Sequence, residues 1–543
     1  MALLNVFRNL FSSPKFSWLF ILISVLYRVL NILAVSETDR DTLILAVQSK
    51  NLLDGNGLSI PKYYSAAIDT PVFDFTPNWP PGYPILLTPF LKIFNYDVFW
   101  ATTALDLIAC ILFIFLVRMI SRELGFPIIA LNIITLIAGC FSYEFIIQTL
   151  PTDSPSFVIF LFGLFLLLKN VQKENFSFAK LLAIGVLLFL PCTFRYSYPP
   201  LSIAAFAAVI LAGWYLKKNI LIKKGIIGLA FFSVFLVVFF TILKDLTGST
   251  GYIVETGRGF FPDQLLKWTP FGPGAFIEPV FTTSQLIRIT GISVQQSLMV
   301  LEIINTVMIA GLILILIYLF FWKKFFKHLD PFKWFIWIGF FISAATCVSL
   351  GYLTLTYKPQ PGWGNYLGDP RYFVFVTLYL QIIFVGWIFL YSSWKKNMLQ
   401  KLIVFVFLLL LSIEVAHSIY FHTKFVLRFD TNKSASYKDP DYVYFGDMCK
   451  DLVDDNPDAE VVVASDGDEY FRLIASYLGQ KGLYDGINLL NSLPEIKKKT
   501  ILIIAIYDKD VPVYRSFLLS HNAKLINSIN HANFYRIDLI PIK

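Results

Sequence analysis

The chain predicts a polytopic α-helical membrane protein with about eleven transmembrane helices, followed by a C-terminal extracytoplasmic α/β domain. Three observations predict it. Of 543 residues 56% are hydrophobic and only 15% charged, with a mean hydropathy of +0.65, whereas soluble domains carry about 25% charged residues. Apolar runs recur at roughly the 20-residue length that a helix needs to cross hydrocarbon. Lys and Arg cluster at alternate connections between those runs, which is how multi-span proteins encode orientation. A cytosolic globular enzyme and a disordered chain are both excluded. The net charge of +8 comes mainly from the flanking bases, so it speaks for orientation and not for nucleic-acid binding. Of the five cysteines, Cys110, Cys140, Cys192 and Cys347 lie in apolar runs and only Cys449 in a hydrophilic stretch. No disulfide scaffold or zinc motif is visible.

The predicted spans run near 17–35, 98–117, 126–147, 155–168, 181–194, 200–216, 225–243, 294–321, 334–353, 372–392 and 402–420. The first follows Arg8 and Lys15 and exceeds the roughly 7–15 apolar residues of a signal peptide, so it reads as an anchor with a cytoplasmic N-terminus. Inner loops are then marked by Arg118 and Arg122, by Lys169, Lys173 and Lys180, by Lys217, Lys218, Lys223 and Lys224, by Lys323, Lys324, Lys327 and Lys333, and by Lys395, Lys396 and Lys401. An odd span number puts the C-terminus outside. The organisation expected is a transmembrane domain over 1–420, with outer loops 35–97 and 247–294, and an extracytoplasmic domain over 421–543. In that last part, strand-like Glu460–Ala464, Thr500–Tyr507 and Asn533–Ile540 alternate with helical stretches around 469–479 and 511–521, the pattern of a small α/β unit. Arg28 and Glu302, inside or beside apolar runs, each call for a partner or a wet groove.

Four places carry candidate chemistry. Glu37, Asp39, Arg40 and Asp41 follow the first span, and a helical stretch from Thr42 runs to the turn Gly55-Asn56-Gly57. Asp39 or Asp41 can cap that helix, since a carboxylate satisfies orphan N–H groups and opposes the dipole. The loop closes with Asn78-Trp79-Pro80-Pro81-Gly82-Tyr83-Pro84, a rigid aromatic return to the interface. Thr149-Leu150-Pro151-Thr152-Asp153 precedes the fourth span, where Asp153 can be a helix cap or a functional acid. Phe194-Arg195-Tyr196 and Asp369-Pro370-Arg371-Tyr372 put an Arg-Tyr pair at two span ends, where an Arg can simply snorkel.

The order of these parts resembles the C-type (GT-C) integral membrane glycosyltransferases, most of all the bacterial branch related to protein O-mannosyltransferases and aminoarabinose transferases. The resemblance rests on an acid after the first span, a helix ending in Gly55-Asn56-Gly57, the Pro80-Pro81-Gly82-Tyr83-Pro84 string, the acid Asp153 and the two Arg-Tyr pairs. Thr42 and Leu45 stand where the family often has a second acid and a Tyr. It implies a transferase that takes a sugar from a polyprenyl-phosphate donor to an acceptor hydroxyl on the outer face of a bacterial inner membrane, with inversion. Asp41 is then the candidate base, Asp39 its substitute, and Asp153 a second catalytic acid. Arg371, with Arg195 and Lys358, would bind the donor phosphate, because guanidinium makes bidentate contacts and stays charged. Tyr83, Tyr196, Tyr372 and Trp268 are candidates for the substrate groove, since sugars are held by aromatic faces and a few polar groups. No cofactor is required by this reading, although Asp41 and Asp153 can share a divalent cation. The acceptor is a lipid, a polysaccharide or a protein. No dinucleotide-binding loop is present, since Gly55-Asn56-Gly57 lacks the preceding strand and third glycine. The rival reading is a multi-span transporter or lipid flippase built around Arg28 and Glu302; a non-catalytic scaffold is the third.

Overall fold

In the computed structural model the described residues are 11–35, 40–64, 71–74, 80–140, 152–173, 175–247, 329–356, 370–391, 440–465, 483–484, 498–529 and 532–540, with isolated positions at 260–261, 291–293, 296, 299–300, 303 and 496. In chain order the helices are α1 (Ser17–Val35), α2 (Arg40–Leu53), α3 (Gly82–Ile93), α4 (Val98–Glu123), α5 (Ile128–Cys140), α6 (Asp153–Val171), α7 (Phe178–Phe189), α8 (Tyr198–Tyr215), α9 (Asn219–Thr247), α10 (Pro331–Thr356), α11 (Val374–Gly386), α12 (Pro440–Asp455) and α13 (Val511–Ser520). The strands are β1 (Ile60–Tyr64), β2 (Pro71–Asp74), β3 (Glu460–Ser465), β4 (Leu483–Tyr484), β5 (Thr500–Tyr507), β6 (Lys524–Ile529) and β7 (Ala532–Leu539). The chain divides into two compact units: Met1–Val35 with Asp106–Leu427, and Ser36–Leu105 with Arg428–Lys543.

The first unit is the helical one. Among the described residues, α4, α6, α8, α9 and α10 are long and apolar enough to cross a membrane, and α5, α7 and α11 are shorter apolar helices; the chain is an integral membrane protein. The predicted spans at 294–321 and 402–420 lie outside the described residues, apart from a few isolated positions in the former, as does Glu302. The fourth span is longer than the apolar run alone indicates, because Asp153, Ser154 and Pro155 begin α6 and Lys169 and Asn170 continue it. Lys224, only 2% exposed, donates from Nζ to the carbonyl of Asn170 at 2.8 Å and to that of Lys173. A cation thus closes the negative end of α6.

Polar side chains stitch the apolar helices where they cross. Ser24 of α1 donates to the carbonyl of Thr135 in α5 at 3.0 Å. At the same crossing a Cβ on Gly139 would stand 2.4 Å from Cβ of Ser24, so only glycine allows this approach. Arg118 of α4 reaches Asn132 Oδ1 at 3.1 Å and Thr135 Oγ1 at 2.8 Å. Arg28 is fully buried, its guanidinium donating to the carbonyl of Ala138 and lying 5.8 Å from the ring of Phe113. One of its donors is thereby taken by a carbonyl in the last turn of α5.

The packing of α10 on α8 and α11 frames one wall of the site. Trp337 donates to the carbonyl of Ala208 at 2.8 Å, and the hydroxyl of Tyr379 donates to that of Ile336 at 2.8 Å. A Cβ on Gly339 would lie 2.4 Å from the Tyr379 ring. That ring is buried and tethered through its hydroxyl, so it cannot swing aside. Gly339→Ala is expected to cost about 1–3 kcal/mol through overpacking, read as a lowered melting temperature of the purified protein, while Gly351→Ala, whose Cβ would meet no atom within 4 Å, serves as the silent control.

The second unit holds two substructures. Helix α2 packs on α3, Ser49 Oγ donating to the carbonyl of Pro84 at 3.0 Å. The predicted Gly-x-Gly turn follows α2 as expected: Gly55 and Gly57 have φ of 83° and 72°, a region that costs other residues strain. Asn51 Nδ2 fastens the turn by donating to the carbonyl of Ser59 at 2.8 Å. Strands β1 and β2 then pair antiparallel, a hairpin that periodicity does not announce.

The other substructure is a five-stranded sheet of order β4-β3-β5-β7-β6, parallel across β4-β3-β5 and antiparallel across β5-β7-β6. Strand β3 is buried along its whole length and β5 to its last residue, which is why both read as unbroken apolar runs. Val462, Leu502, Ile504, Phe517 and Ile537 form its core, and Phe445 of α12 stacks on Phe534 at 5.3 Å. The expected helix around 469–479 lies outside the described residues.

Candidate active site

Three prolines shape the segment that carries Arg195. Pro191 opens the 3-10 turn Leu190–Thr193 that ends α7, and its carbonyl accepts the N–H groups of Phe194 and Arg195 at 3.1 and 3.0 Å. Pro199 and Pro200 then open α8, a position that suits proline because its missing N–H would be an orphan there anyway. Residues 194–197 are thereby held as a tight link between two helices.

Asp153 is the first residue of α6, where no side chain caps the helix. Its carboxylate instead pairs with Arg195, the two side chains 11% and 9% exposed. Asp153 Oδ2 is buried, with no hydrogen-bond partner among the described residues. The guanidinium lies 5.3 Å from the ring centre of Tyr372, which sits in the turn Pro370–Phe373. Ser156, one turn into α6, donates to the carbonyl of Asp153 at 2.9 Å and stands 3.3 Å from the hydroxyl of Tyr198. A candidate catalytic carboxylate and a candidate phosphate-binding arginine, read separately from their motifs, are here one ion pair.

The pair opens onto a cavity of about 450 Å³ whose lining includes Asp153, Arg195, Tyr196, Thr346, Ser349, Tyr352 and Tyr372. Its volume suits a small ligand or one segment of a larger one. Tyr196 stacks with Phe240 at 6.1 Å. Burial pushes its phenol above the ordinary value, so the group faces the cavity as a neutral hydroxyl. Thr346, Ser349 and Tyr352 recur at three-residue spacing on α10. This polar stripe in an apolar span was the available signal for the cavity wall, and the motif reading missed it.

The remaining predicted residues fall elsewhere. Asp41 lies in the second unit, half-buried in the first turn of α2, and Tyr83 is fully buried on α3 in the same unit. Arg371 falls within the turn Pro370–Phe373, with its side chain outside the described set. Asp39, Lys358 and Trp268 lie outside the described residues. Among the described residues no three His, Cys, Asp or Glu side chains come together as a metal-binding group.

No protein-family model matches the chain, and no curated protein matches its sequence. Solved structures do match its backbone. ArnT from Cupriavidus metallidurans, in the apo state, superimposes with a TM-score of 0.53 at 12% identity over 96% of this chain and 98% of that one. The chain has the fold of ArnT. The Archaeoglobus fulgidus oligosaccharyltransferase in its apo form is also similar, with a TM-score of 0.49 at 12% identity over 93% of this chain and 71% of that one.

Proposed function

We propose that the chain is a membrane glycosyltransferase that moves a sugar from a polyprenyl-phosphate donor to an acceptor hydroxyl on the outer face of a bacterial inner membrane. The observation that carries this reading is the ArnT fold, shared over nearly the full length of both chains. Supporting it is a cavity beside the apolar helices that presents a guanidinium, a carboxylate and several tyrosines, the groups a phosphate and a sugar need.

The chemistry divides between two groups. Asp41 takes the proton of the acceptor hydroxyl as its oxygen attacks the anomeric carbon. The bond from that carbon to the phosphate oxygen breaks on the opposite face, and the electron pair leaves with the phosphate. Arg195, with Arg371 and Lys358, neutralises the charge that develops there. Attack opposite the leaving group inverts the anomeric centre. No nucleotide is consumed, and the proposed steps call for no cofactor. The N-terminus is cytoplasmic and the sheet-bearing C-terminal part, 421–543, is extracytoplasmic.

The test is reconstitution. Purified protein in liposomes, supplied with polyprenyl-phosphate sugars and an envelope extract from its host, is expected to release polyprenyl phosphate in step with loss of the sugar-lipid, with and without chelator. Intact sugar-lipid moved from one leaflet to the other would instead establish the flippase reading.

A further inference from the structure

The cation and the carboxylate of the cavity are assigned above to different tasks, yet they are bound to each other. We propose that Asp153 is an internal competitor for the donor: it occupies the guanidinium of Arg195 until a phosphate displaces it, so that donor binding releases the carboxylate. This inference rests on the donor reading and adds its regulation.

The geometry supports an exchange of partners and not a permanent clamp. Both side chains are about nine-tenths buried at the cavity wall. An isolated guanidinium there would be costly, so the carboxylate keeps the wall neutral. The carboxylate takes the Nη1 edge of Arg195 and the Tyr372 ring lies 5.3 Å from the guanidinium carbon, so a phosphate bound bidentately through Nη1 and Nη2 competes with the carboxylate for that edge. The hold is incomplete. Asp153 Oδ2 is buried without a partner among the described residues, whereas a carboxylate built to stay would have both oxygens satisfied. A phosphate brings more acceptor oxygens and more charge than the carboxylate it replaces. Once released, Asp153 is a buried anion with two open oxygens, which attracts the next hydrogen-bond donor to arrive, such as an acceptor hydroxyl. Order of binding, donor before acceptor, follows from this arrangement.

The test is equilibrium binding of a short-chain prenyl monophosphate to the full-length protein in detergent, with inorganic phosphate as the arm that lacks the lipid. Asp153→Asn removes the competitor and is expected to bind the prenyl phosphate about tenfold more tightly than wild type. Arg195→Met is expected not to saturate. A merely structural role for Asp153 would weaken binding or leave it unchanged, and either result overturns the proposal. Saturation by inorganic phosphate with equal tightening would retain the exchange but locate all recognition in the headgroup. If wild type binds neither ligand, the donor reading itself fails and this inference with it. Should Asp153→Asn not fold, infrared difference spectra of wild type decide: saturation with ligand is expected to shift a carboxylate band, and an unchanged carboxylate region overturns the exchange.

Discussion

Replacing Arg195 by Met is expected to lower sugar transfer by about 10²–10³-fold, the loss seen when one fixed donor to a developing anion is removed. The same change is expected to destabilise the protein by about 3–5 kcal/mol, because it strands a buried carboxylate. Asp153 already has one oxygen without a partner among the described residues, and without Arg195 it loses its ion-pair partner as well. Activity loss and destabilisation therefore coincide in this variant, and a second substitution separates them. In Arg195→Met with Asp153→Leu the whole pair is replaced by apolar groups, which is often neutral or stabilising. The double variant is expected to recover most of the melting temperature and none of the activity. Recovery of both would show that Arg195 matters only as Asp153's counterion. Arg195→Lys, which keeps charge but loses the planar fork facing Tyr372, should fall between wild type and Met in transfer rate.

Asp41→Asn is expected to reduce transfer by about 10²–10⁴-fold, the usual contribution of a general base, while changing stability by well under about 1 kcal/mol. The substitution is chosen because it divides the two roles that Asp41 can play in the first turn of α2. As the second residue of α2, Asp41 sits inside the helix and its structural role is its charge against the helix dipole, about 0.3–1 kcal/mol, whereas asparagine cannot accept a proton at neutral pH. If that role were the whole one, Asp41→Asn and Asp41→Ala would both lower the melting temperature slightly and leave transfer normal. If Asp41 is the base, both variants lose transfer. Normal transfer by Asp41→Asn would move the base to Asp39 or Asp153.

Much of the fold was legible because burial writes itself into composition. Strand β5 was read with the bounds it has, Thr500–Tyr507, since a strand buried on both faces is an uninterrupted apolar run. Strand β6 was not read, because Lys524, Asn527 and Ser528 on an edge strand break any such run. The hairpin of β1 and β2 was missed for a related reason: Pro61 and Pro71 argue against strands unless they sit at an edge or a strand start. Span ends were less legible than span centres, as polar Asp153, Ser154, Lys169 and Asn170 are helical in α6 although hydropathy excludes them.

The site was legible as residues and not as contacts. Asp153, Arg195 and Tyr372 were each picked out by local motif, but nothing in their spacing says that a carboxylate and a guanidinium 42 positions apart form one ion pair beneath a tyrosine ring. Burial forces that pairing, and burial is a property of the packed helices. Arg28 shows the same limit from the other side. Its cost demanded partners, and one of them is a backbone carbonyl in the last turn of α5, which no side-chain pattern could reveal.

The central claim is that this chain transfers a sugar from a polyprenyl-phosphate donor. The most direct measurement is mass spectrometry of glycolipids, surface polysaccharide and envelope glycoproteins from the host, comparing wild type, a deletion, and the deletion complemented with Asp41→Asn at matched expression. Loss of one sugar from one class of molecule in the deletion, not restored by Asp41→Asn, is the predicted result. Identical glycans in all three strains, with an undecorated acceptor nowhere accumulating, would contradict it.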